Sequence, residues 1–336
     1  MGEHNLGSQI ELGGVGVPGR VWISPMTGVS DLPYRETASA LGAPYVATEM
    51  VACEHFANGR PDVVRRAAVG EGLPLMVVQL VGADPAWIAT GARLARQAGA
   101  EIIDLNFGCP AKDVTGVACG SALMRDPAHA ERLVAAAVDV QDAPVTVKMR
   151  LGWDNLNAPD LAGRAEAAGA KAVTVHGRTR QQFYTGAADW RAVAAVKAAV
   201  RIPVIVNGDI VDGDSARMAL ERSGADAVMI GRAAIGRPWI AGEIEAALAG
   251  RPFAAPEGEA LAMIVSDHLK RSVAFHGERT GLRMFRKHLA AYIEAAPWLA
   301  DEECARTARG RLCRLETSAE VRAAIARLWT PRRLAA

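Results

Sequence analysis

One phrase recurs along the first three quarters of the chain and restricts its fold more than any other feature. A helix-like, alanine-rich segment ends in Gly-Ala, and a short apolar run begins at once. The instances are Gly42-Ala43 before residues 44–47, Gly99-Ala100 before 101–105, Gly169-Ala170 before 171–175 and Gly224-Ala225 before 226–230. Glycine just past a helix caps its C-terminus, and a buried strand then follows. Between these lie runs that start at a proline: 74–79, 144–148 and 203–207, with 21–24 at the front. The set numbers eight. The runs are continuously apolar rather than alternating, the pattern of parallel strands covered by helices. Helices are expected over 32–41, 85–97, 128–140, 159–168, 190–199 and 214–223. Eight such units over about 240 residues fit a (β/α)8 barrel of the TIM type. A doubly wound open sheet is the alternative. Against it, no G-x-G-x-x-G follows the first run.

The pattern changes after Pro252-Phe253-Ala254-Ala255-Pro256, where apolar β-runs stop. Residues 257–275, 280–295, 301–315 and 318–328 read as helices. The expected organisation is an α/β barrel over 1–249, a linker over 250–256 and an all-helical C-terminal domain over 257–336. From Arg251 onward there are 15 Lys and Arg against 10 Asp and Glu, leaving 23 against 27 for the rest. A mildly acidic barrel therefore carries a basic helical appendage.

Bulk properties exclude several classes. Half of the 336 residues are hydrophobic, enough for a large core, and the net charge of +1 is neutral on nucleic acid. Five cysteines without a CxxC pair suggest reduced thiols rather than a disulfide framework or a zinc site. The spacings of His268, His276 and His288 place them on no common helix face, so no metal is expected. Residues 1–7 have neither a basic nor an apolar leader region, and no run reaches membrane-spanning length. A cytoplasmic protein without a membrane anchor is the expectation; oligomeric state is not legible.

A barrel of this type builds its site at the carboxyl ends of the strands. Reading those ends in order gives Ser24-Pro25-Met26-Thr27, Thr48-Glu49-Met50, Gln79, Asn106 with Cys109, Lys148-Met149-Arg150, His176-Gly177-Arg178, Asn207-Gly208-Asp209 and Gly231-Arg232. Seven of the eight carry an amide, a charge or an imidazole. Together they suit a polar heterocycle and a phosphate. Gly208, Gly231 and Arg232 lie where such barrels hold the phosphate, with residues 233–236 as the short helix facing it. Lys148 is placed to stabilise negative charge on a ring. Asn106 offers a paired donor and acceptor to the edge of such a heterocycle. Taken alone, Cys109 reads as a small buried hydrophobe; among these neighbours it reads as a site thiol.

These residues carry a resemblance. Residues 24–31, 106–112, 148–153, 176–180, 207–210 and 229–234 are similar, in order and spacing, to the motifs of bacterial tRNA-dihydrouridine synthases, most of all the B-type branch. The resemblance runs from about Val21 to Trp329. It implies an FMN-carrying (β/α)8 barrel, a C-terminal helical domain that grips tRNA, and NADPH as reductant. It implies FMN contacts from Pro25, Met26, Thr27, Gln79, Lys148, His176, Asn207, Gly208, Asp209, Gly231 and Arg232. It makes Cys109 the catalytic acid and points to a D-loop uridine. Ser24 and Thr27 stand where the family commonly has alanine.

Reducing the 5,6 double bond of uracil needs a hydride at C6 and a proton at C5. A thiol near pKa ~8.5 is mostly protonated at neutral pH, so Cys109 needs no activation to serve as the acid. Substrate contacts are expected from Asn106 and Arg178 at the mouth. On the helical domain they are expected from Arg283, Arg286 and Lys287, which share a face with Arg279. The alternatives are another FMN barrel, such as a dihydroorotate dehydrogenase, and a non-catalytic RNA-binding barrel.

Overall fold

The structure, a computed structural model, describes residues 9–70, 72–296 and 302–329. Residues 1–7, read above for a leader, and the last residues of the helical region lie outside the described residues.

Eight parallel strands form the sheet: β1 (Val21–Ile23), β2 (Val51–Ala52), β3 (Val77–Val81), β4 (Ile102–Phe107), β5 (Val145–Arg150), β6 (Ala172–His176), β7 (Val204–Asn207) and β8 (Ala227–Ile230). Neighbours in the sheet are consecutive in the chain, except that β8 pairs with β1. Val46 bridges Ile23, and Ala47 bridges Val77 in parallel. The ring is thus closed by residues 46–47, while the named second strand lies further on at Val51–Ala52. The second apolar run, expected to form a strand directly, makes only these two bridges.

The Gly-Ala phrase has the predicted cause. Gly42, Gly99, Gly169 and Gly224 follow helices, each at positive φ (+98°, +102°, +102° and +63°). At the other end, Asp31, Asp84, Asp126, Asp189 and Asp212 each accept a backbone N–H at the N-terminus of a helix that follows a strand. These caps anchor the loops that build the site. The six expected barrel helices match to within two residues. The sequence reading omits Cys53–Ala57, Pro61–Arg66 and Ile240–Leu248.

A hairpin, Ile10–Leu12 with Val15–Val17, also went unread. Ile10, Leu12 and Val17 pack with Trp22, Tyr45, Val77, Ile102, Ala172 and Ala227 near the strand starts. Trp22 stacks on Tyr45 at 4.4 Å. This plug closes the amino-terminal end of the barrel interior, so the opposite end is left for chemistry.

After irregular residues 251–257 come the helices Gly258–His276, Glu278–Glu294, Glu302–Leu312 and Ser318–Trp329. They hold their own apolar core of Leu261, Val265, Leu269, Phe285, Leu289, Val321 and Ile325. The first of these packs on Leu32–Ala40, the helix after β1.

Candidate active site

The strand register brings the polar ends to one level. Gln79 lies beside Asp104, Asn106 beside Lys148, Arg150 beside His176, and His176 beside Asn207. A cavity of about 770 Å³ opens there. Pro25, Met26 and Thr27 line one side. Gln79, Asn106, Cys109 and Lys148 line a second. His176, Asn207, Gly208, Asp209, Gly231 and Arg232 complete it. Every barrel residue expected at the site faces this cavity except Arg178.

Cys109 stands just past β4 in a loop fixed by hydrogen bonds. The Cys109 and Gly108 N–H groups donate to Asn106 Oδ1 at 2.9 and 3.2 Å. The Cys109 carbonyl accepts from Ser121 Oγ at 2.9 Å. Asn106 Nδ2 donates to Gln79 Oε1 at 2.8 Å, and Gln79 Nε2 donates to Asp104 at 2.7 Å. Asp104 also accepts from Thr146 Oγ1 at 2.7 Å. A buried carboxylate therefore orients one amide, which orients a second, which holds the thiol loop. Both lone pairs of Asn106 Oδ1 are spent on backbone, so only one Nδ2 hydrogen remains for a substrate. The expected donor-and-acceptor grip on a base edge is reduced to a single donor.

Burial pushes the Cys109 thiol up, against a backbone hydrogen bond and the cations Arg150 and Lys148. It is a neutral thiol at physiological pH. Burial also raises Asp104 to about 6, against hydrogen bonds from Gln79 and Thr146. Burial lowers Lys148 to about 8, with Asp104 acting the other way. Lys148 Nζ donates to Asn207 Oδ1 at 3.1 Å, and Asn207 Nδ2 donates to the Met229 carbonyl.

His176 is held well below its usual range by burial, then by Lys148, Arg150, Arg178 and Arg232. Its Nε2 lies 3.2 Å from Arg178 Nη1. Arginine can only donate, so Nε2 accepts and the ring proton sits on Nδ1. Arg178 itself is 2% exposed. Its guanidinium binds Asp209 Oδ2 at 2.6 Å and the Gly186 and Thr185 carbonyls at 2.6 and 3.2 Å. It therefore fastens the loop after β6. Burial alone would raise Asp209, but Arg178, the Ala188 N–H and Arg232 hold it low. Gly208 has φ +113°, and a Cβ there would lie 2.9 Å from Ala188 Cβ. The short helix expected to face an anion is a single 3-10 turn, Arg232–Ala234, rather than residues 233–236.

Three residues of the expected RNA face have different settings. Arg283 is exposed. Arg286 is half-buried and donates to the Leu315 carbonyl at 2.9 Å. Lys287 Nζ donates to the Gly28 carbonyl, beside Thr27 at the mouth. His276 Nε2 meets Asp31 Oδ2 at 2.8 Å and Arg271 meets Glu36 at 2.9 Å, so the helical region is pinned to the segment after β1. His268 and His288 sit 4.6 Å apart by ring centroids, with Asp31 close by. Spacing along one helix did not anticipate this, because the two come from different helices. Both Asp31 oxygens are engaged, by Tyr34 N–H and His276. Burial first of all holds both imidazoles below their usual range.

Sequence reasoning gave Asp104 and Arg150 no role, although Arg150 stands among the strand ends, and it missed Phe183 and Tyr184. Arg150 Nε donates to the Gly108 carbonyl at 2.8 Å, and its Nη1 reaches the Thr179 and Phe183 carbonyls. Period-two alternation from Lys148 was the available signal for it. Phe183 and Tyr184 line the mouth from an irregular loop and had none.

Fold and site together define a barrel enzyme with a neutral thiol, an ammonium and a glycine-rich, arginine-flanked pocket at the carboxyl ends of its strands. The chain belongs to the dihydrouridine synthase family (Dus), whose match spans residues 22–324. It is 52% identical over 281 residues to a probable tRNA-dihydrouridine synthase of Rhodobacter capsulatus, covering 82% of this chain and 86% of that protein. It is 43% identical over 294 residues to tRNA-dihydrouridine synthase B of Pseudomonas aeruginosa, covering 86% and 88%. Among solved structures, histamine dehydrogenase from Rhizobium sp. 4-9 matches with a TM-score of 0.55 at 15% identity. That match covers 80% of this chain and 51% of that one. At such identity it speaks for the barrel fold alone, and this chain spans about half of that structure.

Proposed function

We propose that this family member is a tRNA-dihydrouridine synthase. In this reading FMN occupies the cavity, NADPH is the reductant, and Cys109 protonates C5 of a D-loop uridine. The observation that carries the reading is the neutral Cys109 thiol held at the cavity wall by Asn106.

The donor set fits FMN. The volume of about 770 Å³ suits a ligand of that size. At Gly231 no atom lies within 4 Å of a Cβ position, which leaves space beside Arg232 for a phosphate. Gln79 keeps one donor and one acceptor free for a polar ring edge, after its bonds to Asp104 and Asn106. Lys148 supplies a cation for negative charge on the ring; Pro25, Met26 and Thr27 offer packing surface. Bound FMN, reduced by NADPH, supplies the hydride for uracil C6.

The residues of the chain perform the proton half. The Cys109 S–H bond breaks as the C5–H bond forms, and a solvent proton later restores the thiol. Burial keeps the proton on sulfur at rest. Arg150 and Lys148 lower the cost of the transient thiolate. The target base leaves its stack to enter the mouth. The helical domain over 257–336 then offers exposed cations such as Arg279 and Arg283 to the tRNA backbone. No described helix is long and apolar enough to cross a membrane; the proposed tRNA substrate supports a cytoplasmic location.

Mapping dihydrouridine in tRNA from cells lacking the protein tests this. Loss of the base at one D-loop position, restored by the wild-type chain, is the expected result. An unaltered dihydrouridine map would overturn the proposal.

A further inference from the structure

Three loops at the barrel mouth converge on one indole. Trp153 lies just after β5, Arg180 just after β6, and Arg125 closes the 3-10 turn Gly120–Arg125 that follows β4. The guanidinium carbons of Arg180 and Arg125 lie 4.9 and 5.3 Å from the centroid of the Trp153 ring. Among the described residues, neither guanidinium has a carboxylate within 4.0 Å or donates a hydrogen bond to protein. Arg180 Nε is buried and without a partner. The contrast with Arg150 and Arg178 in the same neighbourhood is chemical: those two spend their donors on carbonyls and a carboxylate. Two like charges drawn to one ring by cation–π attraction repel each other, and a bound anion relieves that repulsion.

Resting on the tRNA reading above, we propose that Arg125, Trp153 and Arg180 form a phosphate-gripping ledge for the RNA backbone. The ledge faces the helical domain across the mouth. In the ring of eight, β5 stands opposite β1. The helical domain is fastened beside β1 and β8, through Gly28, Asp31, Glu36 and the close approach of Gly236 to Ala291. A strand that sends one base into the cavity carries phosphates on both sides of that base, and one cationic surface now stands on each side. The ledge is also continuous with the rim. Arg180 N–H donates to the Gly152 carbonyl and Gln181 N–H to the Trp153 carbonyl, which ties the two loops together. Phe183 N–H donates to the Arg180 carbonyl, and Phe183 and Tyr184 line the cavity. The nearby carboxylates do not quench the charge: Asp126 caps the His129 N–H, and exposed Asp154 lies beyond ion-pair distance.

The shared chemistry is phosphate, which the reductant also carries, so the test has two arms. Arg125→Gln, Arg180→Gln and the double variant are compared with wild type for tRNA affinity across a salt series. NADPH-driven flavin reduction without tRNA is measured in parallel. Each lost phosphate contact lowers the slope of log affinity on log salt by roughly 0.7–0.9. The double variant is expected to bind tRNA at least tenfold more weakly with a shallower slope, at unchanged flavin content and NADPH dependence. Arg125 is exposed, so its single variant gives the slope even where Arg180→Gln fails to fold. An unchanged slope in Arg125→Gln overturns the ledge. A raised NADPH requirement with unchanged tRNA binding overturns it in favour of the reductant. Wild-type protein that neither binds nor reduces tRNA defeats the functional reading itself, which distinguishes that failure from failure of the ledge.

Discussion

Asp104 is the buried charge on which the catalytic loop hangs, and its removal separates two effects. The side chain is 2% exposed and accepts two hydrogen bonds, from Gln79 and Thr146. Burial still outweighs them and lifts the folded pKa to about 6. An unfolded aspartate titrates near ~3.9, so the folded state favours the proton by roughly two pH units, or about 3 kcal/mol. The sign follows: stability from this group is full below pH ~4 and is lost as pH rises through about 6. Asp104→Asn removes the titration. Its oxygen still accepts from Gln79, and its amide donates to Thr146 Oγ1, so the relay to Cys109 survives. The variant is expected to match wild type near pH 4 and to be more stable by about 3 kcal/mol at pH 8, with turnover within about tenfold. Asp104→Ala strands the Gln79 and Thr146 donors at ~1–3 kcal/mol each and frees the Gln79 amide to turn, so kcat falls with it. Denaturant unfolding of the three proteins at pH 4 and pH 8, beside tRNA reduction, measures both effects. An Asp104→Asn protein that is less stable than wild type at pH 8 would refute the dominance of burial.

Two further predictions concern the cofactor side of the cavity. Lys148 is depressed to about 8 by burial and is protonated below that value, so any step needing its charge should decline as pH rises through about 8. Lys148→Arg should move that decline to higher pH, read from a pH–rate profile of flavin reduction. Gly208→Ala puts a methyl group 2.9 Å from Ala188 Cβ at φ +113°, so it should lower flavin content and cost more than ~1 kcal/mol of stability. Absorbance of the purified variant and its melting curve measure both.

The barrel was legible because its punctuation is local. A glycine at positive φ after a helix and an aspartate before one are each decided within a few residues, as Gly99 and Asp84 illustrate. The apolar runs state burial on both faces, and they located seven of the eight strands. Residues 44–47 misled because an apolar run there closes the ring through two bridges instead of forming a ladder. Three-residue strands such as Ile10–Leu12 are too short to show a period.

The site was legible at the level of position and not of partnership. Strand ends point into the mouth by geometry, so Gln79, Lys148 and Asn207 could be placed from sequence. What each side chain is already bonded to depends on residues far away in the chain. Arg178 was expected to contact substrate, yet its donors are taken by Asp209 and the Gly186 carbonyl. Lys287 was expected on an open helix face, yet it reaches Gly28, 259 positions earlier. The joint of Asp31, His268 and His288 and the ledge on Trp153 have the same origin: each gathers side chains from different elements, and no single-element period can announce that.

The central claim is that Cys109 acts as a neutral thiol acid at the barrel mouth. Single-turnover reduction of unmodified tRNA by flavin-loaded, prereduced protein, wild type against Cys109→Ala, tests it most directly. The account predicts equal flavin content and a loss of roughly a hundred- to ten-thousand-fold in dihydrouridine formation, the usual worth of a positioned general acid. Equal rates in the two proteins would contradict it.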